Sequence, residues 1–339
     1  MLLKALSYFV ILLVSLIGNI LVALVIYKNQ EFRKSINYFV FNMAVSDLFT
    51  PLTIMPIKIV EIISGSVSWK VDSPWILGNM LCKLSYFLPD VSLAVSIGSL
   101  LLISMDRFIA VVFPLKVKLI SSTLRLCSIL CTWIIAIAVH APYFYTFRLF
   151  TNTNESFCRS QWESAFDHHV ETQKRYVTAT SITFYLVPIC LLAIMYGSIV
   201  WTLKTNNTQT KHKIYSQRTR RHQHNKNIMR MSVAIIITFL ICIIPLVVFT
   251  FISLFLWNWE EPPICAFLTW IPFICLFMLH SWSALNPCIC FVFSENYRNG
   301  LRQILPFSKR CFSRKTLEQA NIPTETTSTT KRKSNSTWV

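Results

Sequence analysis

The stretch from residue 231 to residue 259, MSVAIIITFLICIIPLVVFTFISLFLWNW, holds no Asp, Glu, Lys or Arg and runs unbroken from Arg230 to Glu260. It exceeds the ~20 apolar residues that cross a bilayer as a helix. A helix satisfies its own backbone hydrogen bonds in lipid, so a spanning helix is favoured over a long buried strand. Working outward, charge-free gaps of the same kind separate Lys4 from Lys28, Arg125 from Arg148, Arg175 from Lys204 and Glu261 from Glu295. Two further apolar stretches each carry a single acid, Ser35 to Ile57 with Asp47 and Leu84 to Met105 with Asp90. The reading is an all-α membrane protein, a bundle of seven transmembrane helices.

Composition agrees. The chain has 339 residues, 54% hydrophobic and 14% charged, against about 25% charged in ordinary soluble domains. That balance argues against a soluble enzyme, and 6 Gly with 14 Pro argue against collagen-like or low-complexity classes. The helices occupy most of the length, so residues 1–305 are read as one membrane domain and residues 306–339 as a disordered cytoplasmic tail.

The net charge of +17 invites a nucleic-acid reading, which its placement rejects. With the amino terminus outside, 24 of the 32 Lys and Arg fall in inner loops and the tail, while Glu61, Asp72, Glu155, Glu163, Asp167, Glu171, Glu260 and Glu261 fall outside. This is the positive-inside pattern, and it sets the expected orientation of a multi-pass plasma-membrane protein with its carboxyl terminus in the cytoplasm. The first helix has few residues before it and no small-residue cleavage site, so it is expected to act as its own insertion signal. The sequon at Asn154 (Asn154-Glu155-Ser156) falls outside and is open to glycosylation, whereas Asn206-Asn207-Thr208 falls inside. Of the 11 Cys, Cys82, Cys158 and Cys265 lie near the outer surface, where a disulfide would persist; sequence alone leaves the pairing open.

Polar residues within the spans carry the functional signal. Asp47 lies near the middle of the second span, where an unpaired charge costs at least ~2.5–3.5 kcal/mol. Asn19, Ser96, Ser283 and Asn286 lie at comparable depth in other helices and, with Asp47, can surround a small cation or a water cluster. The plainer alternative is a protonated Asp in a structural hydrogen-bond network. Asp106-Arg107-Phe108 closes the third span, followed by Pro114-Leu115; alone, such an Arg would be read as snorkelling to headgroups. Pro188, Pro245 and Pro287 fall inside spans, where each removes a helix hydrogen bond and marks a kink.

Taken in order, Gly18-Asn19 with Val22, Asp47 in its Asn42-x-Ala-x-x-Asp frame, Cys82, Asp106-Arg107-Phe108 with Pro114-Leu115, Trp133, Cys158, Pro188 with Tyr196, Phe239-x-x-Cys242-x-x-Pro245 and Asn286-Pro287 resemble the rhodopsin-like (class A) G-protein-coupled receptors, from about residue 6 to residue 305. The resemblance implies a ligand-driven two-state equilibrium that opens an inner cleft to a heterotrimeric G protein. It implies that Asp106 and Arg107 pair and that Arg107, Pro114 and Leu115 then meet the G protein. Pro188, Tyr196, Phe239, Pro245 and Pro287 become activation hinges. Asp47, Ser96 and Asn286, supported by Asn19 and Ser283, become an allosteric sodium pocket, and no other cofactor is expected. Cys82 and Cys158 become a disulfide, and receptor kinases and arrestin become further partners. Departures are Ile243 where Trp is usual, Cys290 where Tyr is usual, Phe108 after Arg107, and no acid near Asn225 and Lys226.

Amine receptors of this family carry Asp where this chain has Pro89, with Asp90 one residue on and rotated by about 100°. His280 stands where an opsin needs Lys. The outer acids Glu61, Glu163, Asp167, Glu171, Glu260 and Glu261 form an expected acidic vestibule, and a field of that sign attracts cations. The leading ligand is therefore a cationic or carboxy-amidated neuropeptide, with Asp90 as its deep anchor. A biogenic amine or other small molecule, or a non-signalling binding role, is the alternative. No clustered nucleophiles mark an enzyme, and no repeated halves mark a transporter. After Asn286-Pro287, the run Ser294 to Arg302 fits a short amphipathic eighth helix on the inner leaflet, in contact with membrane lipids. Cys311 beyond it is a palmitoylation candidate. Thr337-Trp338-Val339 has the form that adds a strand to a PDZ domain, with Thr337 and Val339 as its key positions.

Overall fold

The computed structural model describes residues 1–29, 35–65, 69–70, 75–115, 121–152, 155–162, 169–209, 217–257 and 270–304. Among these, seven helical segments are long and apolar enough to cross a membrane: Leu2–Lys28, Asn37–Ser64, Trp75–Val112, Ser122–Thr146, Val170–Thr205, Arg230–Phe255 and Ile271–Phe293. The third span sits at the centre, packed against the second, fourth, fifth and sixth, while the first lies against the second and seventh. Their shared core runs from Val22 and Met43 through Val95, Leu100 and Ile103 to Ile235, Phe239 and Trp282. The outward faces of the spans are exposed Leu, Ile, Val and Phe, as a lipid solvent requires. This is a multi-pass membrane protein.

The helices overrun the charge-free stretches. The second span, expected to end near Ile57, continues to Ser64 because Lys58 and Glu61 pair one turn apart at 2.7 Å and enter the bundle together. Pro51 offers no N–H to the turn before it, and the span is correspondingly divided into Ser35–Asp47, Phe49–Leu52 and Ile54–Ser64. Gly65 ends it at φ 66°, a left-handed conformation that favours glycine. Pro89, by contrast, is absorbed within the unbroken helix Trp75–Val112. In the fifth span Pro188 cannot donate to the Phe184 carbonyl, and Ile182–Leu186 forms a π-turn closed by the Val187 N–H on the Ile182 carbonyl.

One element lies outside the all-α expectation. Phe147–Asn152 and Glu155–Ser160 form an antiparallel hairpin with Leu149 opposite Cys158. Cys82 and Cys158 are disulfide-bonded and buried, so the hairpin is tied to the start of the third span. Tyr86 stacks on Phe147 beside that bond, with ring centroids 4.4 Å apart.

The eighth helix is present as Glu295–Ile304, with Tyr297 and Gly300 buried and Arg302 exposed. Arg298 donates to the Phe291 and Val292 carbonyls at 3.0 and 2.6 Å, satisfying carbonyls that the end of the seventh helix leaves free. Tyr297 donates to Asn37 at 3.0 Å; burial, with Cys290 nearby, holds its phenol well above the usual range. Residues 306–339, including Cys311, Thr337 and Val339, lie outside the described residues.

Candidate functional site

Halfway along the bundle, Asp47 is 1% exposed. Its Oδ1 accepts from the Ser96 hydroxyl and its Oδ2 from the Asn286 side-chain amide at 2.7 Å, which joins the second, third and seventh spans. Ser46 extends the network to Ser96 at 3.3 Å. Asn19 and Ser283 form a neighbouring link: the Asn19 amide donates to the Ser15 and Ser283 carbonyls, each at 2.9 Å, and Ser15 donates to the Ser283 hydroxyl at 3.0 Å. The five expected pocket residues thus divide into a set of three around the carboxylate and a pair that clips the first span to the seventh. Close approach at that clip depends on Gly18, where a Cβ would lie 2.7 Å from Pro287 Cγ.

The buried Oδ1 of Asn286 has no hydrogen-bond partner among the described residues. With Asp47 and Ser96 it gives an all-oxygen set carrying one formal charge, and such donors suit a hard cation. Trp133 and Asn42 brace the same region from outside: Trp133 Nε1 donates to Asn42 at 2.8 Å, and Asn42 donates to Ser99 at 2.8 Å.

Toward the disulfide end, Asp90 stands eight residues after Cys82, about 12 Å along a helix. Tyr143 donates to its Oδ2 at 2.6 Å. Asp90 lines two small cavities, one of about 60 Å³ with His140, Tyr143, Thr180 and Tyr185, the other of about 20 Å³ with Thr50, His280 and Trp282. His140 Nδ1 donates to the Ala136 carbonyl at 2.9 Å, since a carbonyl oxygen can only accept. Tyr8 of the first span meets His280 Nδ1 at 3.2 Å. Tyr143 and His140 went unread in the sequence; the signal available was their i, i+3 spacing at the end of the fourth span, just before the hairpin.

The acids expected at the rim fare differently from Asp90. Glu61 is buried and paired with Lys58, and Glu171 is paired with Arg175 at 3.2 Å in the open. Both therefore contribute less net charge to a vestibule than their sequence count implied. Glu163, Asp167, Glu260 and Glu261, and the sequon at Asn154, lie outside the described residues. Pro89 is buried and lines the smaller Asp90 cavity.

At the opposite end, Arg107 pairs with Asp106 at 2.6 Å, while Pro114 and Leu115 are exposed, Leu115 to 92%. Tyr196 is half-buried near Ser104, Ser232 and Arg107. The Asn225 and Lys226 side chains lie outside the described residues. Between the two ends, Phe239 is fully buried and meets Trp282 edge-on at 5.5 Å. Ile243 is buried one turn further along, and the indole that meets Phe239 is Trp282 of the seventh span. Pro245 offers its carbonyl to Cys275 at 3.5 Å.

The model of the 7 transmembrane receptor (rhodopsin family) matches residues 18–289. Among curated relatives, Neuropeptide FF receptor 2 of Rattus norvegicus is 27% identical over 90% of this chain and 72% of its own length. Neuromedin-U receptor 2 of Rattus norvegicus is 26% identical over 91% of this chain and 76% of its own. Neuropeptide receptor 22 of Caenorhabditis elegans is 26% identical over 87% and 67%. With the matched residues reaching from the Gly18 contact in the first span to the end of the Asp47 network in the seventh, the chain belongs to the rhodopsin family of seven-transmembrane receptors.

Proposed function

We propose that this protein is a plasma-membrane receptor for an extracellular peptide, with its amino terminus outside, and that it passes the signal to a heterotrimeric G protein. The observation that carries the ligand reading is Asp90, a carboxylate in a polar cavity below a disulfide-tied hairpin, with Tyr143 as its donor. The names of the relatives, receptors for neuropeptides, support the same class. A cationic side chain or amidated terminus of the peptide pairs with Asp90, a charge-assisted contact stronger than a neutral one. At the inner end, Arg107 leaves Asp106 for the G protein, and Pro114 and Leu115 supply the neighbouring contact. Asp47, Ser96 and Asn286 would hold a sodium ion in the inactive state, whose positive charge would offset the buried carboxylate. Receptor kinases and arrestin act on the Ser- and Thr-rich tail, and its last residues engage a PDZ domain.

A library of basic and carboxy-amidated peptides, set beside a monoamine library, tests the reading on surface-expressed receptor with a G-protein readout. A peptide agonist whose response falls with Asp90→Asn is expected, and Arg107→Ala should abolish signalling while binding persists. A monoamine acting below micromolar concentration through Asp90, with no peptide active, would replace the peptide reading.

A further inference from the structure

Between the fifth and sixth spans lies a cleft of about 250 Å³, separate from the Asp90 cavities, with walls that are almost entirely hydrocarbon. The π-turn at Ile182–Leu186 widens the fifth span there, and Ile243 leaves the floor open, since an indole at that position would fill it. Phe239 closes the inner wall. The Tyr185 side chain lines both this cleft and the larger Asp90 cavity, so it forms the partition between them.

The mouth faces outward. Leu186 is 56% exposed, Val248 51% and Ile244 47%, all on the perimeter that a bilayer covers. Ile243 stands midway between Arg230 and Phe255, the limits of the sixth span, so the mouth opens at hydrocarbon depth. Water is not held there, because a buried water needs two to four polar partners and the lining brings only the Ser181 and Tyr185 hydroxyls. Left empty, the walls would lose their dispersion contacts. An apolar cavity of ~150 Å³ is already large enough to bind benzene, so this one takes a longer hydrocarbon segment.

We propose that the cleft is a discrete binding site for one acyl chain of a bilayer phospholipid, inserted sideways between the fifth and sixth spans against Phe239 and Tyr185. The occupant is a phospholipid because the mouth lies within the lipid and the described lining offers nothing to hold a free carboxylate: among the described residues no Lys, Arg or His contributes to it.

The test uses the full-length receptor in nanodiscs of palmitoyl-oleoyl phosphatidylcholine doped with the same lipid bearing a diazirine on its acyl chain. After irradiation, peptide mapping should show label on Leu186 and Ile244 that saturates at a low probe fraction. Label on Ile134, exposed on the fourth span, should keep rising in proportion. Val247→Trp, which fills the cleft from the sixth span, should cut the cleft label at least fivefold and leave Ile134 unchanged. Ile189→Phe fills it from the fifth span and serves if the first variant is not produced. Equal, unsaturating label at the cleft and at Ile134 would reduce the site to ordinary annular lipid and overturn the proposal. So would preferential labelling by a photoactive free palmitic acid.

Discussion

Asp47 and Asp90 are both carboxylates inside the membrane-spanning bundle, and their surroundings differ in two respects. Asp47 accepts from two side chains on two other spans and is 1% exposed. Asp90 accepts from Tyr143 and borders cavities on two sides. A buried carboxylate has about four acceptor sites. Where protein donors and a further oxygen occupy the space, the acid is part of the frame; where space remains, the acid can receive a visitor. The contrast sets Asp47 in the frame of the bundle and Asp90 beside open space, a difference of geometry that residue type alone does not show and that fits the roles proposed for them.

The largest effect should come from removing the charge of each acid in turn. Truncating one member of a desolvated ion pair costs about 2 kcal/mol or more, largely in dissociation rate, which is about 30-fold in affinity. Asp90→Asn should therefore raise the dissociation rate of a peptide agonist about 30-fold, while Asp47→Asn should leave it within about threefold in sodium-free buffer. Radioligand dissociation measures both. Equal losses would erase the distinction between the two sites.

Stability should reverse the ranking. Asp47→Ala leaves the Ser96 hydroxyl and the Asn286 amide without their acceptor in a closed space, at about 2 kcal/mol. Asp90→Ala frees only Tyr143, which borders a cavity able to admit water. In a thermal-shift assay on solubilised receptor, Asp47→Ala should lower the midpoint more than Asp90→Ala. The opposite order would place the framework acid on the wrong span.

Much of this is legible in the sequence. Charge-free runs mark the seven spans because charge is costly in hydrocarbon, and Asp47 announces itself for the same reason. What stayed hidden depended on pairing in space. Along the chain Lys58 and Glu61 look like the start of a loop after Ile57; in the fold they neutralise each other one turn apart, and the second span continues to Ser64. The hairpin from Phe147 to Ser160 is a local β pattern inside a segment read only as connecting loop. Tyr143 as the partner of Asp90 joins residues 53 positions apart, and Trp282 on Phe239 joins two helices. The spacing of His140 and Tyr143 marks the end of the fourth span, but neither pairing is written along the chain. Asn19 shows the reverse: its depth matched Asp47, yet its amide is committed to Ser15 and Ser283.

Tyr143→Phe sharpens the comparison by leaving the charge of Asp90 intact while removing its donor. A hydrogen bond to a charged group contributes about 1.5 kcal/mol, so agonist affinity should fall by about tenfold, less than for Asp90→Asn. The double variant should lose less than the sum, since both act through one contact. Additive losses would mean that Tyr143 touches the ligand independently.

The smallest effect belongs to Glu171, an acid near the disulfide end that lies in the open. Its pair with Arg175 leaves the two side chains 54% and 80% exposed, and exposed pairs are worth below ~1 kcal/mol. Glu171→Gln removes one negative charge from a solvated helix end, where screening over about 8 Å at physiological salt weakens its pull on a cationic peptide. The association rate should drop by less than about twofold in low salt and by nothing measurable at physiological salt, with the dissociation rate unchanged. Stopped-flow or surface-plasmon kinetics at two ionic strengths reads this directly. A change in dissociation rate of the size seen for Asp90→Asn would show that the open acid, and not the one beside the cavities, holds the ligand.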